Sequence, residues 1–273
     1  MKTVFRKVLF NGQKNSKLSS KKIIKLLSQD YDAVSVFVHK KIDSTNDAAK
    51  RLLRSGLNTP AIIVADTQTN GRGRADHRFY SPSKTGIYMS VVVFPKVRLF
   101  DSVAITTAAA VAVVRAIKSF APLDLKIKWV NDIFLNNKKV CGILTECSSS
   151  DPDSPGGVII GVGINLTTSV FPDDIADSAA SLNCELIEKN RLVAQTAREI
   201  FRACENLKEG SYMEDYRKLS LVTGKKIEYF KNGNKVTAQA IGIDDNGGLI
   251  VEHSDKKTSV LTGGEVSVTL TTL

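Results

Sequence analysis

No run in this sequence approaches the roughly 18 consecutive apolar residues that a membrane-crossing helix needs, so no membrane span is expected. Cysteine is sparse: Cys141, Cys147, Cys184 and Cys204, with no CxxC pair among them. Cys141 and Cys147 fall an even number of residues apart on one expected strand. They share a face but sit too far along it to bridge. Free thiols in a reducing compartment are the expectation. Histidine is scarcer still, with His39, His77 and His253 in no spacing that would hold a metal. Acids are missing altogether from residues 1–29, which carry eight lysines and arginines.

That last absence locates the net charge. The chain of 273 residues is formally +10, and eight of those charges lie in the first 29 residues. The remainder is close to neutral, a basic tail on a balanced body rather than a basic face. No specific nucleic-acid partner is therefore expected. The tail has no apolar core for a secretory signal. Its composition suits a disordered terminus or a mitochondrial transit peptide, and the cytoplasm is the expected compartment, with the mitochondrion as the alternative. Elsewhere, 42% hydrophobic and 24% charged residues are ordinary for a globular chain long enough for one large domain, or a large and a small one.

Leu18–Leu27 reads as a short helix capped by Ser19 or Ser20. Val34–Val38 and Ala61–Ala65 read as strands, with a helix opening at Ser44-Thr45-Asn46-Asp47 between them. Residues 67–86 have no hydrophobic period and form a long loop, a feature that in a compact domain is usually functional. A strand follows at Ile87–Phe94, and then an Ala/Val-rich helix at Leu99–Phe120 buried on much of its surface. Leu125–Trp129 is a strand. Ile133–Leu135 and Val140–Cys147 form a hairpin turning at Asn136-Asn137. Residues 148–157 are a surface loop, and Val158–Leu166 is a buried strand whose Gly161 and Gly163 admit a close neighbour. Helices are expected near 190–208 and 212–219. Beyond Leu221 short β segments turn at Asn232-Gly233 and Asn246-Gly247-Gly248. The division is a tail at 1–17, a catalytic domain at 18–220 and a small β domain at 221–273.

Activating a carboxylate with ATP brings two anions together, so fixed cations and backbone N–H groups must absorb their charge. Gly71-Arg72-Gly73-Arg74, in a loop after a strand, supplies glycines for close backbone approach and forked cations for oxyanions. Alone, this pattern also suits an RNA-binding tail or an ordinary turn. Lys139 at its hairpin is by itself a candidate cation or a solvated lysine. Asn131 and Asp132 end a strand where ligands gather in α/β sheets, but also suit a plain turn.

Taken in order, the segments resemble the biotin–protein ligase family, from about Leu18 to Ser267. The matching pieces are Ile42-Asp43-Ser44-Thr45-Asn46, Asp66-Thr67-Gln68 ahead of the Gly-Arg repeat, and Ser81-Pro82 after it. KWVNDIFLNNKKVCGIL at 128–144 with Glu146 comes next, then GVGINL at 161–166 and Gly263-Gly264-Glu265-Val266-Ser267. The resemblance implies an α+β fold: a mixed sheet with packed helices, like that of class II aminoacyl-tRNA synthetases, followed by an SH3-like β-barrel. It implies biotin and ATP as substrates, Mg2+, a biotinyl-5′-AMP intermediate, and transfer to a lysine of a biotin carboxyl carrier domain. A homodimer is compatible with it. A lipoate or octanoate ligase shares the fold. A DNA-binding biotin-responsive regulator would need a helix-turn-helix domain, for which the roughly 17 residues before the first helix are too few.

The same resemblance implies roles for the matching residues. Ser44, Thr45 and Gln68 meet the biotin ureido ring, and Asn46, at the same strand–helix junction, is counted with the biotin-binding residues. Arg72 and Arg74 order the loop and hold phosphate and carboxylate oxygens, and Gly71 and Gly73 are counted with the biotin-binding residues. Lys139 sits at the carboxylate–phosphate junction, and Gly142 and Gly163 leave room for ligand. Asn131 and Asn165 lie on the adenosine side. Asp132 is a candidate for magnesium or for the acceptor lysine's proton. The loop departs from the family pattern. His77 and Phe79 stand where arginine and tryptophan are usual, with Arg78 as a replacement cation and Phe79 keeping a face for adenine. Val130 stands where proline is usual.

Overall fold

A computed structural model describes residues 17–74, 77–95, 102–149 and 156–268. Most of the basic tail, the start of the Leu99 helix and most of the 148–157 loop lie outside the described residues. Helix α1 (Ser20–Leu27) starts at Ser19, whose side chain accepts from the Lys22 amide, and buries Ile23 and Leu27. Strand β1 (Ser35–His39) is followed by α2 (Thr45–Arg54), capped by the Ser44 side chain, and by β2 (Ala61–Ala65) and β3 (Gly86–Val93). Then come α3 (Ser102–Lys118), β4 (Lys126–Lys128), β5 (Asp132–Leu135), β6 (Lys138–Cys147) and β7 (Val158–Asn165). Helices α4 (Lys189–Glu205) and α5 (Met213–Leu219) complete this part.

The seven strands form one sheet in the order β1-β2-β3-β7-β6-β5-β4, with β1–β2 parallel and the other pairings antiparallel. Strand alternation gives the sheet two apolar faces. Ile62 and Val64 join the main core with α1, α3 and α4, whereas Ala61 and Ile63 pack with Ala48 and Ala49 of α2. Small alanines let α2 lie close on its side, and α2 covers only part of that face. Among the described residues, no helix is long and apolar enough to cross a membrane.

The C-terminal strands β8 (Lys226–Lys231), β9 (Asn234–Ile243), β10 (Leu249–Glu252), β11 (Thr258–Leu261) and β12 (Val266–Val268) form a separate antiparallel sheet in the order β11-β10-β9-β8-β12. The expected turn at Asn232-Gly233 is present, both residues having positive φ. This sheet is fixed to the large one beside β4. The Trp129 indole N–H donates to the Gly247 carbonyl at 2.9 Å, the Leu221 amide to the Ile127 carbonyl at 2.8 Å, and Arg217 to the Ile243 carbonyl at 2.9 Å. The mixed α/β sheet with a small antiparallel C-terminal sheet is the fold class read from the sequence.

Candidate active site

On the α2 face of the sheet, where the helix leaves β6 and β7 uncovered, lies a cavity of about 250 Å³. Its floor is made of glycines. Gly142 and Gly163 are direct partners across β6 and β7, and Gly161 faces Leu144 one step along. A methyl group on Gly161 would strike the Asn46 amide, and one on Gly163 would strike the Phe79 ring. At Gly142 it would lie 3.2 Å from both Phe79 and the Lys139 stem. The Phe79 ring stands over Gly142 and Gly163, both of which still line the cavity, and it also meets Tyr88 edge-on, 6.4 Å between centroids.

One end of the cavity is the buried N-terminus of α2. Ser44, Thr45 and Asn46 are all nearly inaccessible. The Thr45 amide and hydroxyl both donate to Gln68 Oε1, at 2.8 and 3.1 Å. Gln68 Nε2 donates to Ser81 Oγ at 2.8 Å, and Ser81 donates to the Phe79 carbonyl at 3.0 Å. This relay ties the far side of the long loop to the helix end. The near side is a small bridge in which Phe79 N–H donates to the Gly71 carbonyl and Gly73 N–H to the His77 carbonyl, at 3.0 and 2.7 Å. Gly71 is obligatory here because a methyl would run into the Phe79 carbonyl oxygen.

The other end holds the cations. Lys139 Nζ is 2.7 Å from Asp132 Oδ1. Strict alternation would put Lys139 on the same face as buried Cys141, toward the helices. The register shifts between Ile133 and Phe134, which pair with Cys141 and Lys139 and leave Val140 as the extra residue of a bulge. The bulge turns Lys139 to the cavity side, beside Gly142. Arg74 donates to Asn131 Oδ1 at 3.3 Å, while Asn131 Nδ2 donates to the Ile143 carbonyl at 2.6 Å. Arg78, His77 and Lys128 also line this end, and Gly264, Glu265, Val266 and Ser267 wall it from the C-terminal sheet.

Two residues expected here lie off the cavity lining. Gly71 is behind the loop. Asn165 is buried with Nδ2 donating to the Ala180 carbonyl at 3.0 Å, and its Oδ1 has no partner. Arg72 lines the cavity but is engaged by Asp47 and Glu146. Asp47, Lys50 and Ser90 are not among the expected site residues, Asp47 reading in the sequence only as part of the helix opening. Their partners are distant in the chain, and only the i, i+3 spacing of Asp47 and Lys50 on one helix hinted at a shared face.

Half-burial would raise the Glu146 carboxyl. Hydrogen bonds from Lys50 and Asn46, with the charges of Lys50 and Arg72, outweigh that and hold it below the ordinary range. Burial raises all four thiols, Cys204 to about 12, which disfavours their thiolate forms. Among the described residues no group of three or more His, Cys, Asp or Glu could hold a metal. Asp132, already paired with Lys139, stands without the further carboxylates a protein-held ion would require.

A cavity with polar donors at one end, cations at the other and a glycine floor between them is built for an anionic ligand with a polar head. The match to known proteins narrows the class. Residues 38–165 match the biotin/lipoate A/B protein ligase family and residues 226–269 the biotin protein ligase C-terminal domain. The bifunctional ligase/repressor BirA of Bacillus subtilis is 31% identical over 253 residues, 89% of this chain and 77% of that protein. The biotin–[acetyl-CoA-carboxylase] ligase of Mycobacterium tuberculosis is 28% identical, over 82% of this chain and 85% of that one. The biotin protein ligase from Aquifex aeolicus, solved in complex with biotin and ATP, superposes with a TM-score of 0.72 at 25% identity, covering 86% of this chain and 98% of its own. The chain belongs to the biotin protein ligase family.

Proposed function

We propose that this protein joins biotin to ATP, forming biotinyl-5′-AMP and pyrophosphate, and then transfers the biotinyl group to a lysine of a biotin carboxyl carrier domain. In the first step a biotin carboxylate oxygen attacks the α-phosphorus and the bond to pyrophosphate breaks. In the second the acceptor amine attacks the acyl carbon, AMP leaves, and the amine loses a proton. The observation that carries the reading is the polarity of the cavity: Ser44, Thr45 and Gln68 at one end, Lys139 and Arg74 at the other.

The ureido ring needs donors and acceptors once buried, which the α2 end offers. Its carboxylate then points past the Phe79 ring, which lies over Gly142 and Gly163, to Lys139, where charge develops. Arg74, steadied by Asn131, and Arg78 face the phosphates, with the C-terminal residues 264–267 closing that side. Asp132, 2.7 Å from Lys139, would meet a magnesium ion carried by the nucleotide, which would neutralise phosphate charge, or would take the acceptor's proton. We place the division between catalytic and C-terminal domains near residue 220, and the protein in the cytoplasm.

The test is incubation with MgATP, a carrier domain and either biotin or lipoate, read by intact mass. A biotin-sized increase on the carrier supports the reading, and an increase with lipoate alone replaces it with the lipoate alternative.

A further inference from the structure

Arg72 is held from two sides by carboxylates of separate elements. Asp47 Oδ1 of α2 lies 2.8 Å from one terminal nitrogen, and Glu146 Oε1 of β6 lies 3.4 Å from the other. Lys50 completes the cluster at 2.7 Å from Glu146 and 3.9 Å from Asp47. Asn46 donates to the second Glu146 oxygen at 2.9 Å and accepts from Ser90 at 2.6 Å. The Glu146 side chain is 18% exposed and that of Asp47 24%. Two acids and two bases make the cluster formally neutral.

A guanidinium so matched offers little field to an incoming phosphate. Drawing it away would leave Glu146 half-buried with one cation fewer, and breaking such a pair on one side is costly. The same guanidinium sits at the start of the bridge in which Arg72 faces Arg78, so it fixes the strand that carries Phe79 over Gly142 and Gly163.

We propose that Arg72 is a positioning residue: with Asp47 and Glu146 it staples the start of the 71–79 loop to α2 and β6, leaving Arg74 and Lys139 to meet the ligand's anions. Only the kinetic readout of this inference rests on the proposed reaction.

The test compares Arg72→Met, the pair Asp47→Asn with Glu146→Gln, and all three together, with Asp47→Asn alone as the mildest variant should the pair fail to fold. Amide exchange of Gly73 and Phe79 is followed in ligand-free protein, and KM and kcat for MgATP in the biotin reaction. The staple predicts about tenfold faster exchange in the loop with β7 unchanged, a comparable rise in KM, kcat little altered, and no further loss in the triple variant. A fall in KM when the carboxylates are neutralised would show that they had been withholding a ligand cation, and would overturn the proposal. So would additive losses, or loop exchange unchanged in Arg72→Met and Asp47→Asn. Exchange requires no substrate, so a chain inactive with biotin would still settle the staple.

Discussion

The Gly-Arg loop and the β5–β6 hairpin bring cations to the same cavity on different supports. Lys139 stands on sheet. Its strand is laddered to β5 and β7, and its own amide and carbonyl bond to Ser178 and Ala180 at 2.8 and 2.9 Å. Arg72 and Arg74 stand on a loop whose shape depends on a few backbone bonds, the Gln68–Ser81 relay and the acidic cluster. A cation on a sheet is placed before ligand arrives, which suits the point where charge develops. Beyond the point where Arg72 is held, a loop cation such as Arg74 can yield to admit and release substrates. The division of labour is therefore chemistry on the hairpin and enclosure on the loop.

The sharpest way to break that contrast is to remove each cation. Lys139→Ala should lower kcat/KM by about 10²–10³-fold, the range for deleting one preorganised charge, with biotin affinity nearly unchanged by calorimetry. An equal loss of kcat in Arg72→Met would erase the distinction. Gly71→Ala should come next, because the methyl meets a backbone oxygen and the bridge must open. We expect about a tenfold rise in KM for MgATP, with kcat less affected. Gly73→Ala, where the nearest atom is the His77 carbonyl at 3.1 Å, should do less.

Trp129→Phe leaves the Gly247 carbonyl without its donor and should cost about 1–3 kcal/mol in urea unfolding, a test of the seam behind the hairpin rather than of the loop. Acid should separate the regions too. Glu146 is held below its ordinary value, so its contribution is present above that value and disappears as pH falls through the lower, folded one. Loop protection factors, with the intrinsic pH dependence of amide exchange divided out, should thus stay constant through mildly acidic pH and fall only below the ordinary glutamate range. His77→Ala should matter least. His77 and Glu265 are 3.7 Å apart, and His77 is 69% exposed, so activity should change less than about twofold.

How much of this could be read from residues alone followed the range of each interaction. The start of α2 within Ser44-Thr45-Asn46-Asp47, where Ser44 proves to be the cap, and the Asn136-Asn137 turn are local, and both stand where the sequence put them. The bulge at Val140 was not legible. It depends on pairing with β5, yet it decides which way Lys139 points. The staple was illegible for the same reason, since Arg72 is 25 residues from Asp47 and farther still from Glu146. Asn165 shows the converse. Its motif was plain, but the neighbouring segment at Ala180 claims its amide. Phe79 stood out as a departure in the loop, and only the fold reveals that the glycines make room for it.

The most direct measurement of the central claim omits the acceptor. Protein is mixed with biotin and ATP labelled in the α-phosphate, and the bound product is separated. The account predicts biotinyl-5′-AMP retained on the wild type with release of pyrophosphate, and nearly none with Lys139→Ala although that variant still binds biotin. Formation of the adenylate at the wild-type rate in Lys139→Ala, or its absence from the wild type, would contradict it.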